Sequence, residues 1–254
     1  MNFSYIIFDN KKGINFEIKE NTFVTFIGES NDYIYDNIIF KNSNDYLTMG
    51  YSKINSKYIT KLYNLIGVSS FEFINIFNSE TVLDELAFPL ESKAIKREDM
   101  KKKIEEISAK FKFNNYLEES PYSLNISKRS LLLIMISLIT EPKVLIINNL
   151  LELLDSDDFE LVINVLNEYK ENHIVLNFTN NIEETLLGEY IIVTNNEKVV
   201  VSGKTISVLN EEKIMKRLGH NLPFIVLLNK YLKDYNLIDR YILNYNSLGE
   251  ILWK

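Results

Sequence analysis

The run Val144-Leu145-Ile146-Ile147, closed by Asn148-Asn149, constrains this chain more than any other stretch. A half-exposed strand alternates apolar and polar residues. An unbroken aliphatic run suits the centre of a parallel sheet, where both faces are covered. Pro142 stops the segment before it, residues 127–140, which is apolar almost all round and reads as a helix buried on most sides. The strand therefore begins near Lys143, and what it delivers to the end of the sheet is a pair of amides.

The neighbouring segments agree with a sheet of this kind. Residues 1–25 read as β structure, with apolar side chains at Phe3, Tyr5 and Ile7, then at Ile14, Phe16 and Ile18, a period of two. A further strand over 22–27 ends at Gly28, and residues 36–40 belong to the helix after the loop. Residues 96–112 carry Met100, Ile104, Ile107 and Phe111 on one helical face, with Glu98 and Asp99 near the start. An amphipathic helix over 159–169, a strand over 173–178 and a hairpin over 190–202 turning at Asn195-Asn196 follow. Alternating strands and helices from about 100 to 194 predict an α/β fold. Beyond 210 the pattern turns helical.

Composition narrows the function. The 254 residues include 46% hydrophobic side chains, enough for a substantial core. A net charge of −7 without a basic run argues against nucleic acid as a partner. The absence of Cys excludes disulfides and thiol chemistry and fits a reducing compartment. Residues 1–10 lack the basic and apolar regions of a secretory signal, and the longest apolar run, 131–139, is about half of the roughly 20 residues that cross a bilayer. A soluble cytoplasmic protein is expected. With only 8 Gly and 4 Pro, the chain is poorly supplied for a loop that cradles phosphates.

Several segments, in this order, resemble an ATP-binding cassette (ABC), and more narrowly the A component of energy-coupling factor (ECF) transporters. Ile14-Asn15-Phe16-Glu17-Ile18 and Phe23-Val24-Thr25-Phe26-Ile27-Gly28 look like the entry to a Walker A loop. Thr81-Val82-Leu83-Asp84-Glu85-Leu86-Ala87-Phe88-Pro89-Leu90-Glu91 is similar to the family's segment after the Q-loop. Pro121-Tyr122-Ser123-Leu124 leads to the signature position, Glu141-Pro142-Lys143 to Walker B, and Leu154-Asp155 matches the D-loop. Gly203, Leu222-Pro223-Phe224 and the tail Ser247-Leu248-Gly249-Glu250-Ile251-Leu252-Trp253 resemble the family's late hairpin and C-terminal part. The resemblance implies an ABC-type P-loop NTPase fold: an N-terminal antiparallel β part, a parallel-sheet core and a helical subdomain over about 82–140. It implies a cassette over 1–209 and a small, mostly helical appendix over 210–254 of the dimerisation type.

The residues that do chemistry in that family are replaced here. A P-loop, G-x-x-x-x-G-K-[ST], uses glycines so that backbone N–H groups reach phosphate, a lysine to neutralise it and a hydroxyl to hold magnesium. The matching stretch is Gly28-Glu29-Ser30-Asn31-Asp32-Tyr33-Ile34-Tyr35. Tyr33 stands at the second glycine, Ile34 at the lysine and Tyr35 at the hydroxyl. The two tyrosine rings fill the space on one reading; a plain strand-to-helix turn without ligand is the other. In Walker B, Asn148 and Asn149 replace the magnesium-binding Asp and the water-activating Glu. An amide cannot take a proton at neutral pH, and losing a positioned base costs roughly 10²–10⁴ in rate. Both amides are expected to hydrogen-bond neighbouring loops. Phe71 falls at the Q-loop glutamine, Asn180 at the late histidine, and Asn125-Ile126-Ser127-Lys128 at the signature; Asp155 of the D-loop remains.

Each composite ATP site of the family joins the Walker motifs of one subunit to the signature of another, and this chain has lost both halves. The resemblance therefore implies a degenerate, pseudo-ATPase subunit, with no catalytic residue and no resident cofactor, and with weak or absent binding of ATP and magnesium. It would pair with a second cassette, as heterodimer or homodimer, and with a transmembrane subunit docked near Asp84, Glu85, Phe88 and Leu90, on the inner face of the membrane. Two alternatives stay open. One is an unorthodox working ATPase, with Lys128 or Arg129 supplying the missing cation; the other is a cytoplasmic scaffold without a transport role. A weaker variant holds ATP through stacking on Tyr5.

Overall fold

The computed structural model describes residues 5–9, 14–39, 47–49, 52–53 and 64–253. Its centre is a sheet of parallel strands. Strands β3 (Thr22–Gly28), β6 (Ile66–Ser70), β7 (Val144–Asn148), β8 (Ile174–Thr179), β9 (Tyr190–Asn195) and β10 (Lys198–Lys204) lie in the order β10-β9-β3-β8-β7-β6. Only β10 runs antiparallel, to β9. A second sheet, in the order β2-β1-β4-β5, is antiparallel and joins β1 (Tyr5–Asp9), β2 (Asn15–Lys19), β4 (Leu47–Met49) and β5 (Ser52–Lys53).

The apolar run of β7 is covered on both faces, as its composition requires. Leu145 and Ile147 enter a cluster with Leu131, Leu132 and Met135 of α4 (Ile126–Leu138) and Val162 and Leu166 of α5 (Ser156–Tyr169). Val144 and Ile146 point the other way. They pack with Phe26, Phe178, Phe16 and Ile18, and with Ile34, Tyr35 and Ile38 of α1 (Asn31–Ile38). The period of two in a strand sorts these side chains to opposite layers. Each fully buried Ile or Leu contributes about 1.5–3 kcal/mol.

The helical subdomain contains α2 (Val82–Ser92), α3 (Arg97–Lys110) and α4. Helix α3 is two residues shorter at its C-terminal end than the 96–112 pattern, because Lys112 adopts a left-handed φ of 53°. Helix α5 starts at Ser156 rather than 159, set by Asp155, whose side chain accepts a hydrogen bond from Asp158 N. The late hairpin turns at Asn196-Glu197, one residue on from the expected pair, with both residues at positive φ.

Helices α6 (Thr205–Leu209), α7 (Glu212–Arg217), α8 (Phe224–Asp234) and α9 (Tyr245–Leu252) follow. They rest on the sheet: Met215, Ile225, Val226 and Leu248 share one apolar cluster with Ile27, Ile191 and Val193. A boundary drawn near 210 therefore crosses a common core. Among the described residues no helix is long and apolar enough to cross a membrane.

Candidate functional site

The stretch matched to a P-loop runs almost directly from strand into helix. β3 ends at Gly28 and α1 begins at Asn31, three residues ahead of Ile34. Only Glu29 and Ser30 intervene, and the N–H of Ile34 already donates to Ser30 O at 3.1 Å inside the helix. Gly28 is tightly held. Its φ is +126°, and a Cβ there would sit 1.9 Å from Thr194 O, so glycine is required for backbone reasons alone.

The side chain of Asn31 explains the early helix start. Its Nδ2 donates to Phe26 O and Thr179 O, both at 3.1 Å, and its Oδ1 accepts from Thr194 Oγ1 at 3.4 Å. Ser30 Oγ accepts from Glu197 N at 2.8 Å, which fastens the β9–β10 turn over the loop. Asp32 and Glu29 are exposed, and Tyr33 is half-buried. Ile34 (0% exposed) and Tyr35 (1%) lie in the core, where Tyr35 meets Phe178 edge-on at 5.8 Å and Phe178 stacks on Phe26 at 4.4 Å. Tyr35 thus serves the interior.

The Walker B amides bond to their neighbours as expected. Asn148 is buried, and its Nδ2 donates to Ser70 Oγ at 3.2 Å. Asn149 Nδ2 reaches Asn148 Oδ1 at 3.3 Å, and its own N–H donates to Phe178 O at 2.9 Å. Asn149 has φ +51°, a conformation that asparagine tolerates better than glutamate. Phe71 is exposed and opens a short 3-10 turn, Phe71–Phe73, capped by Ser70. Asn180 is exposed. The side chain of Tyr5 lies outside the described residues.

The signature segment is committed within the chain. Asn125 caps α4, its Oδ1 accepting from Lys128 N at 2.8 Å, and Ile126 is exposed. Ser127 Oγ donates to Asp158 Oδ2 at 2.7 Å and accepts from Asp155 N at 3.0 Å. Lys128 Nζ pairs with the other oxygen of Asp158, also at 2.7 Å. Arg129 holds Leu124 O, Asn75 Oδ1 and Tyr122 O. Asp158 is a residue that sequence reading missed; the spacing Asp155-x-x-Asp158 is a helix-start pattern that flags it.

The four α2 residues expected to dock a membrane subunit divide. Asp84 accepts from Thr81 Oγ1 at 2.7 Å in a helix cap. Glu85 is buried, with its Oε2 accepting from Asn78 N at 3.0 Å and Ser79 N at 2.8 Å, and Leu90 is in the core. Phe88 is 53% exposed. Phe88 and Pro89 line a groove of about 540 Å³ with Phe73, Ile76 and Ile136, none of which sequence spacing had marked.

A magnesium–polyphosphate group does not fit this donor set. The N–H of Ile34 is already inside the helix, an apolar, buried Ile34 stands where the cation is needed, and amides stand where metal-binding and proton-accepting carboxylates are needed.

No family model matches the sequence. The energy-coupling factor transporter ATP-binding protein EcfA1 of Lactobacillus delbrueckii subsp. bulgaricus is 25% identical over 166 residues, which is 65% of this chain and 59% of that protein. EcfA1 of Oceanobacillus iheyensis is 23% identical over 251 residues, 95% of this chain and 90% of that one. Among solved structures, CbiO1 from Clostridium perfringens, described as part of the ABC transporter complex CbiONQ, superposes with a TM-score of 0.72 at 19% identity. That match covers 89% of this chain and 99% of the other. In fold the chain is an ATP-binding cassette, and in sequence it resembles the ATP-binding A components of energy-coupling factor transporters.

Proposed function

We propose that this chain is a cassette subunit of an ECF-type transporter that acts as the structural, non-hydrolysing half of a cassette pair. The observation that carries the reading is the start of α1 at Asn31, which leaves no loop to wrap phosphate and places Ile34 inside the core. The amides at Asn148 and Asn149 agree with it, since neither takes up a proton at neutral pH. The alternative of a working ATPase asks Lys128 or Arg129 for a cation. Both are engaged elsewhere, Lys128 with Asp158 and Arg129 with three oxygen atoms.

The transport role rests on the similarity to EcfA1 proteins. On this reading the chain pairs with a second cassette and reaches the inner face of the membrane through a transmembrane subunit. The apolar groove beside Phe88 supports such docking, being open and rimmed by Ile76 and Pro89. Charged residues of α2 play little part, because Glu85 is spent on Asn78 and Ser79.

Calorimetry of the purified chain with Mg-ATP, taken to millimolar nucleotide, tests the proposal. No heat of binding is expected. Micromolar, magnesium-dependent binding would overturn it, since that affinity, about 8 kcal/mol, needs a formed phosphate site.

A further inference from the structure

A buried polar pair joins β8 to the turn that follows it. Asn177 sits in the middle of β8, and Glu184 in the 3-10 turn Ile182–Leu187 that follows; both are buried. Asn177 Nδ2 donates to Glu184 Oε2 at 2.8 Å. Asn177 Oδ1 and Glu184 Oε1 are also enclosed, and neither receives a hydrogen bond. The pair has oxygen acceptors in excess and lacks one donor. Buried acceptors without donors are costly, and a buried ionised carboxylate without a cation is costlier still.

The surroundings offer no compensating charge. β3 contributes Thr25, whose Oγ1 donates to the backbone oxygen of Glu184 at 3.4 Å. β8 contributes the hydroxyl of Thr179, and the turn Leu151–Leu153 contributes Glu152, another acid. Glu183, on the same turn as Glu184, is exposed and accepts from Phe224 N at 3.0 Å. Ile182 and Leu186, on the same turn, pack against the C-terminal apolar cluster. Among the described residues no lysine or arginine is ion-paired with Glu184.

We propose that Glu184 is a proton-binding site: the folded protein holds it as the uncharged acid, whose O–H supplies the donor that the Asn177–Glu184 pair lacks. Burial pushes its pKa up, against the hydrogen bond from Asn177, and the charge of Glu152 adds to the rise. The turn that carries it joins the end of β8 to the start of α8 through Glu183 and Phe224. Loss of the proton puts a charge under that link and loosens it. The sign follows from a folded pKa above the unfolded one. The stabilisation is complete below the usual glutamate range and is lost as pH rises through the folded value.

The test uses the full chain with carbon-13 in its glutamate side chains, followed by NMR across a pH series. Glu184 Cδ, assigned by its disappearance in Glu184→Gln, is expected to titrate at a higher pH than glutamates of the denatured chain, and Glu152→Gln to bring that midpoint down. In thermal melts, Glu184→Gln is expected to remove part of the wild-type loss of Tm toward alkaline pH. A midpoint at or below that of the denatured chain, or an unchanged pH slope in Glu184→Gln, overturns the proposal. Should Glu184→Gln fail to fold, triple-resonance assignment of the wild-type chain identifies the same carbon, and its midpoint alone decides. Nucleotide plays no part in this measurement, so its outcome is independent of the cassette reading.

Discussion

Ser127 and Asp158, separated by 31 positions in the chain, are joined by a hydrogen bond of 2.7 Å that ties the signature segment to the first turn of α5. Lys128 closes the same carboxylate from the other side, and Asp155 N reaches Ser127 in return. The start of α4 is thereby fastened to the start of α5 within the chain.

Asp158→Ala is expected to cost about 1–3 kcal/mol, because Ser127 and the partly buried Lys128 lose their acceptor together. Asp158→Asn keeps an acceptor for Ser127 and loses only the ion pair, so it should cost less. Urea denaturation of the three proteins checks the order; equal midpoints would mean that the cluster does not contribute to stability.

Ile34→Lys restores the P-loop cation in name only. Position 34 is fully buried among Phe26, Phe178 and Ile146, so the ammonium arrives without water or partner. A loss of about 3–5 kcal/mol is expected, with no gain in Mg-ATP affinity. Thermal melting and calorimetry read the two effects separately. A stable variant that binds nucleotide would show that α1 can retract to form a loop.

Asn149→Glu alone should not produce turnover. The new carboxylate has no held phosphate or metal to work on, and position 149 has a left-handed φ of 51° that glutamate adopts at a cost of about 1 kcal/mol. Phosphate release under saturating Mg-ATP is the measurement, and a rate clearly above that of wild type would refute the structural account.

Phe88→Asp should leave folding within about 0.5 kcal/mol of wild type, since the ring is half in solvent. If the groove beside it holds a transmembrane subunit, co-expressed complex should fall at least about tenfold on purification, the effect of losing about 1.4 kcal/mol. Full recovery of complex with this variant would place the contact elsewhere.

The strands were the most legible part of the sequence. An aliphatic run such as 144–147 can be buried on both faces in few ways, and the structure uses a parallel sheet. The start of α1 was not legible. Gly28-Glu29-Ser30-Asn31-Asp32 has the composition of a turn, and the helix begins there because Asn31 bonds to Thr179 and Thr194, partners 148 and 163 positions away. Glu85 misled for a related reason. A carboxylate on a helix reads as solvent-facing, yet this one accepts two backbone N–H groups from the preceding loop. Glu184 carried no local signal at all, since its partner Asn177 sits within an otherwise apolar strand.

The amide of Asn31 reaches the ends of β3, β8 and β9 at once. Here the junction is stitched by a side chain that belongs to the chain itself. On the proposed structural reading, this one amide keeps the three strand ends together without nucleotide, and movement is imposed on the subunit by its neighbours.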